Sequence, residues 1–174
     1  MLRLIYEGKL LRRGMKILEA ASSVTFIETG SHRIVVDTSS QDKRDRILKG
    51  LERLGLSPRD IDVVINTHSH WDHLGNNDLF KDAEIINYEN YRSLKDREIE
   101  ILETPGHTWD SISVIHGNYI VVGDAVPLRD NVVKEVAPGV NVNRELALKT
   151  LKMIKSLEKH IVTGHDGIFY NNKR

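Results

Sequence analysis

Apolar positions along the chain fall into short β-branched runs and longer stretches at helical spacing, and the two alternate. Residues 2–6 and 24–28 read as strands, with residues 9–16 as a hairpin partner between the breakers Gly8 and Gly14. Ile34-Val35-Val36 reads as a buried strand that ends in a carboxylate, Asp37, just before Thr38-Ser39-Ser40. Over residues 42–54, Ile47, Leu48, Leu51 and Leu54 recur at helical spacing with charges between them, and Gly55 ends the helix. Residues 56–60 return the chain to a further buried strand, Ile61-Asp62-Val63-Val64-Ile65. Strand, helix and strand in this order predict a parallel βαβ unit.

Beyond it, the pattern predicts a short helix around residues 78–80 and strands at 83–87 and 99–103. The polar stretch 88–96 between those strands fits a helix or a loop equally. Residues 111–116 alternate as a strand, Gly117-Asn118 forms a hairpin turn, and residues 119–122 return toward Gly123-Asp124. Residues 125–142 contain Pro127 and Pro138 and read as a loop, the kind of segment that carries specificity. Asn143 is placed to cap a helix over 144–158 with Leu146, Leu148, Leu151, Ile154 and Leu157 on its apolar face, and 160–163 is a last short strand.

The 174 residues suffice for one domain with a substantial core. Lys+Arg and Asp+Glu are 25 each, so no global basic field draws nucleic acid. With no cysteine, disulfides and thiolate metal sites are excluded, and any metal must be held by histidine and carboxylate. No apolar run approaches the roughly 18 residues of a membrane span, and a charge interrupts the short apolar N-terminal run, so the expected location is cytoplasmic.

The candidate chemistry lies where the strand 61–65 ends, in Thr67-His68-Ser69-His70-Trp71-Asp72-His73-Leu74-Gly75. In extended chain His68 and His70 point to one side, roughly 6–7 Å apart, and can converge on one cation. Asp72 and His73 are adjacent and join that cluster only if the chain turns, for which Gly75-Asn76-Asn77 supplies the chemistry. Histidine and aspartate so concentrated suit Zn²⁺. The offset suggests two neighbouring metal positions, one for His68 and His70 and one for Asp72 and His73.

His68-x-His70-x-Asp72-His73 resembles the signature of the metallo-β-lactamase-fold hydrolases. The resemblance continues, in the family's order, in Thr104-Pro105-Gly106-His107-Thr108, Gly123-Asp124 and Gly164-His165, and covers residues 24–165. The chain departs from the family where Trp109-Asp110 stand in place of the usual Pro-Gly. The resemblance implies an α/β fold, a four-layer αββα sandwich formed by residues 1–174 as a single domain, with metals in the cleft at the sheet edges. It implies that His68, His70 and His107 bind one metal, that Asp72, His73 and His165 bind a second, and that Asp124 bridges them. Asp72 is then also the candidate catalytic carboxylate. Asp37 becomes the acid behind the ligands that fixes an imidazole, or else a solvent-facing turn residue. His32, His116 and His160 match no ligand position.

The activity so implied is that of a zinc hydrolase with two ions per chain, iron or manganese being alternatives. A metal-bridging hydroxide would attack a small ester, thioester or lactone. Two other readings of the family are a metal-dependent nuclease and a mononuclear iron oxygenase acting on a persulfide. The former usually carries inserts or a basic arm that this chain lacks, which makes nucleic acid the lesser partner. Trp71 and Trp109 adjoin ligands and either wall the substrate or pack in the core, and Arg129 is a candidate for an anionic substrate group.

Overall fold

The computed structural model describes residues 1–14 and 16–171; Met15, within the expected hairpin segment, and residues 172–174 lie outside the described residues. The first half runs β1 (Leu2–Tyr6), β2 (Lys9–Arg13), β3 (Lys16–Ala21), β4 (Val24–Glu28), β5 (Arg33–Val36), α1 (Arg44–Glu52), β6 (Val63–Ile65), the single turn α2 (Trp71–Leu74) and β7 (Glu84–Ile86). The second half runs β8 (Glu100–Glu103), β9 (Ile112–His116), β10 (Tyr119–Val121), α3 (Arg129–Lys134), α4 (Arg144–Ser156), β11 (His160–Val162) and β12 (Ile168–Phe169).

Two five-stranded sheets form, in the orders β1-β4-β5-β6-β7 and β12-β11-β10-β9-β8, and β2 and β3 pair as a separate hairpin. β5 and β6 are parallel with α1 crossing between them, the expected βαβ unit. Strand alternation sorts the core into three apolar layers. Ile27, Ile34, Val36, Val63 and Ile65 face Ile112, Val114, Val121 and Val162 of the other sheet. The opposite side of the first sheet turns Val24, Phe26, Val35 and Val64 onto Ile47 and Leu51 of α1. The opposite side of the second turns Ile120 and Ile161 onto Leu151 and Ile154 of α4. Helix, sheet, sheet and helix are therefore stacked as an αββα sandwich, because each strand has period-two apolar positions to bury on both faces.

Several boundaries differ from the sequence reading. The hairpin partner of β2 is residues 16–21 and not a return within 9–16; Gly14, at φ 58°, lies in the turn. Residues 125–142 contain α3, which the two prolines bracket without interrupting, so neither removes a bond from it. Residues 88–96 form only a 3-10 turn at Tyr91–Ser93. A 3-10 turn at Gln41–Lys43 precedes α1, which ends at Glu52. α4 begins where expected, with Leu146 N donating to Asn143 Oδ1 at 3.0 Å, and ends two residues short of the expected end. No helix among the described residues is long and apolar enough to cross a membrane.

Candidate metal centre

β5 and β6 lie side by side and end at the same level, and the site begins there. Asp37 follows β5 with φ 58°, in the left-handed region that aspartate tolerates better than most residues. This turn points its carboxylate at the segment leaving β6. Oδ1 accepts from Thr67 N at 2.8 Å, and Oδ2 accepts from Thr67 Oγ1 at 2.8 Å and from His73 Nδ1 at 2.7 Å. Thr67 thus spends its one hydroxyl proton on Asp37. Its oxygen is left to accept from His68 Nδ1 at 3.2 Å. One buried carboxylate therefore fixes two imidazoles with their Nε2 atoms free, directly for His73 and through Thr67 for His68. Asp37 is a buried acid behind His68 and His73 and not a solvent-facing turn residue.

The required turn comes earlier than Gly75. His70 is still extended, and the helical turn α2 follows at once, so Asp72 and His73 swing back toward the cluster. The main chain pins this turn: Ser22 N donates to Asp72 O at 3.0 Å and Thr38 N to His73 O at 2.7 Å. Gly75 is needed for packing instead, since a Cβ there would lie 2.6 Å from Ser39 O.

The other three residues arrive from the second half of the chain. His107 follows the Pro105-Gly106 bend and donates from Nδ1 to Val140 O at 2.8 Å. His165 follows β11; its Nδ1 donates to Ala21 O at 2.8 Å, at the foot of the β2–β3 hairpin. Asp124 sits in a 3-10 turn after β10. Gly123 before it has φ 51° and lies so close to Thr67 that a Cβ would come within 2.2 Å of Oγ1.

Ligand-type atoms of His68, His70 and His107 lie within 4.8 Å of one another, as do those of Asp72, His73 and His165, and those of His68, His73 and Asp124. The Asp124 carboxylate lies between the first two groups, 3.5 Å from His107 Nε2, 3.4 Å from His73 Nε2 and 3.2 Å from His165 Nε2. The structure thus brings together all seven residues singled out from the sequence. His68 Nε2, His73 Nε2 and Asp124 Oδ1 are buried without a hydrogen-bond partner among the described residues. Three buried polar atoms left unpaired and aimed at one centre carry a large desolvation cost that a cation would remove. The donor set fits divalent metal.

The electrostatics agree. Burial pushes His68 and His107 below the ordinary imidazole range, so both offer a lone pair at neutral pH. Burial alone would raise the Asp124 carboxyl, but His165 and His73 beside it hold it well below the usual carboxylate range. Burial likewise opposes charge on His73 and His165, and the neighbouring carboxylates outweigh it and raise both.

The remaining candidates separate cleanly. Trp71 is 67% exposed and Trp109 61%, so neither packs in the core. Trp71 lines a cavity of about 390 Å³ that opens over the cluster, and Trp109 does not. Arg129 is not aimed at the cluster: its Nε and Nη2 hold Asp166 at 3.0 and 2.9 Å. His32 pairs with the buried side chain of Asp96 at 2.8 Å and pins the 88–96 segment to the β4–β5 turn. His116 contacts the carbonyl of Glu98, and His160 opens β11 and does not end a helix; both are remote from the seven. Sequence reasoning missed Thr67 and the carbonyls of Ala21 and Val140. Thr67 precedes the first histidine and could have been flagged; a carbonyl carries no sequence signal.

Gly164 is the tightest point. A Cβ there would fall 2.0 Å from Asp124 Oδ1. Gly164→Ala is expected to push the carboxylate off centre and lower metal content while leaving circular dichroism unchanged. Full metal content in that variant would contradict the geometry.

The sequence profile of the Metallo-beta-lactamase superfamily matches residues 18–95. A protein of Methanocaldococcus jannaschii described as a probable metallo-hydrolase is 50% identical, over 99% of this chain and 90% of the relative. An N-acyl homoserine lactonase of a Bacillus species is 32% identical, over 71% of this chain and 63% of that one. Among solved structures, AiiA of B. thuringiensis with N-decanoyl-L-homoserine bound at its active site superposes with a TM-score of 0.74 at 23% identity, over 95% of this chain and 92% of that one, which is a likeness of fold. Profile, close relative, fold and assembled cluster agree: the chain belongs to the metallo-beta-lactamase superfamily, as one of its metal-dependent hydrolases.

Proposed function

We propose that the chain is a two-metal hydrolase of a small ester, thioester or lactone. The observation that carries this is the pair of three-residue groups with Asp124 between them, and three buried ligand atoms that have no hydrogen-bond partner among the described residues. His68, His70 and His107 would hold one ion, Asp72, His73 and His165 the other, and Asp124 both. Zinc is the ion best matched to imidazole and carboxylate donors without thiolate, and iron or manganese accept the same set. Two such ions would supply a water-derived nucleophile at neutral pH and stabilise the oxyanion that develops on the carbonyl.

The chain's own groups would do the rest. Asp37, Val140 O and Ala21 O engage Nδ1 of His73, His107 and His165 and so turn Nε2 of each toward the cluster. Asp72 lines the cavity, and its carboxylate would take a proton at oxygen and hand it to the leaving group. Leu10, Ile17, Trp71, Pro127, Pro138 and Val140 give the cavity an apolar wall beside which the reacting carbonyl would lie.

The cavity, about 390 Å³, is of small-molecule size, and the net charge is zero. Both favour a small carbonyl substrate over nucleic acid. The lactonase relatives act on substrates of this kind, as their names state. The test is elemental analysis followed by kcat/KM for a thioester, a lactone and a single-stranded oligonucleotide on one metal-loaded preparation. Two ions per chain and turnover of the thioester or lactone, little changed between low and physiological salt, are expected. One iron without zinc would overturn the two-metal reading and favour persulfide oxidation. A winning oligonucleotide whose cleavage falls steeply with salt would overturn the substrate reading.

A further inference from the structure

The β2–β3 hairpin pairs Leu10 with Ala20 and Arg12 with Ile17. The register shifts between Leu11 and Arg12, which leaves one extra residue, Leu18, on β3. Strict alternation would put Ile17 and Ala20 on opposite faces; the bulge puts both on one face, with Leu10 and Arg12. Those four side chains all line the cavity over the cluster. Among the described residues, Arg12 is the only lysine or arginine that lines it.

Among the described residues no carboxylate pairs with Arg12, whereas the arginine first suspected of a substrate role, Arg129, is held by Asp166. Asp130, which neighbours Arg12 in an adjoining surface pocket, is paired with Lys134. The Arg12 guanidinium reaches across to the facing segment, where a Cβ on Gly139 would stand 3.1 Å from Nη1. That segment is anchored to the cluster through the Val140 carbonyl and His107. The hairpin is anchored at its other end, where the carbonyl of Ala21, paired with Lys9, accepts a hydrogen bond from His165 Nδ1. Arg12 lies three residues beyond Lys9, roughly 10 Å along the strand.

We propose that Arg12 forms a carboxylate-binding subsite at the outer end of the cavity. The substrate is then a carbonyl compound that carries a carboxylate beyond an apolar spacer. The proposal rests on the hydrolase reading above for the chemistry at the cluster, and names the substrate class. The planar fork of a guanidinium matches a carboxylate in two parallel hydrogen bonds. Leu10 and Ala20, between it and the foot of the hairpin, and Ile17 beside it suit methylene groups, not further charge.

The experiment pairs compounds that differ only in the terminal carboxylate. Suberoyl and octanoyl monothioesters are compared by kcat/KM, and the unreactive amides suberamate and octanamide by calorimetric titration of the metal-loaded protein. The carboxylated member of each pair is expected to be favoured about tenfold, the effect of one partly exposed charged pair. The preference should shrink as salt rises, fall to near one in Arg12→Gln, and reverse in Arg12→Glu. Equal binding of the two amides, or equal weakening of both by Arg12→Gln, would overturn the subsite. If suberamate binds in an Arg12-dependent way but neither thioester is cleaved, the subsite stands and the hydrolytic reading fails.

Discussion

Asp124→Ala is expected to cost at least about a hundredfold in metal affinity and in kcat/KM, since even partners behind metal ligands are worth 10–100-fold. The carboxylate lies within 3.5 Å of His107, His73 and His165. It is the one anion shared by both groups of donors. Without it, two cations would face each other with only Asp72 to offset their charge, so metal content should fall to one ion per chain or fewer. His116→Ala is the control. That ring sits at the end of β9 against the Glu98 carbonyl, away from the cluster, and its loss should leave metal content and turnover near the starting level. Elemental analysis and kinetics on the two folded variants decide it. An equal loss in both would reject the assignment of Asp124.

Asp37→Ala should be the most damaging change outside the seven donors. Three protons, from Thr67 N, Thr67 Oγ1 and His73 Nδ1, end on this carboxylate inside the protein. Removing their acceptor leaves buried donors unpaired at about 1–3 kcal/mol each, enough to threaten a domain of ordinary stability. Asp37→Asn keeps the shape and separates the two roles. Its amide can accept from Thr67 through the carbonyl oxygen, but its NH₂ cannot accept from His73 Nδ1. His73 is then free to present the wrong tautomer, and metal affinity should drop 10- to 100-fold with a much smaller loss of thermal stability. Metal titration and thermal denaturation of both variants test this. Wild-type metal affinity in Asp37→Asn would show that His73 does not depend on Asp37 for its orientation.

The sequence by itself determined the first βαβ unit and, through the motifs that carry the family resemblance, the seven candidate residues. The strands β4, β5 and β6 are β-branched or aromatic with apolar side chains on both faces, so they had to be buried between layers. The histidines and aspartates stand at strand ends, where residue type and spacing already limit what they can do. Asp37 was legible for the same reason, as the carboxylate that ends a buried run.

Tertiary structure alone decided the rest. α2 is one turn long and too short to carry a periodic signal; it exists because Ser22 and Thr38 bind its carbonyls from other parts of the chain. α3 buries only Asn131 and Val132, too few positions to show a helical stripe. Arg12 carried no signal of its own within the hairpin segment, and Arg129 was the candidate for an anionic group. That Arg12 lines the cavity while Arg129 is held elsewhere depends on a one-residue bulge and on Asp166, which lies 37 positions from Arg129 along the chain. A bulge and a long-range ion pair are set by packing between distant segments. Local residue pattern specifies which side chains are available, and only the folded chain fixes which of them face the cluster and which are already satisfied by a neighbour.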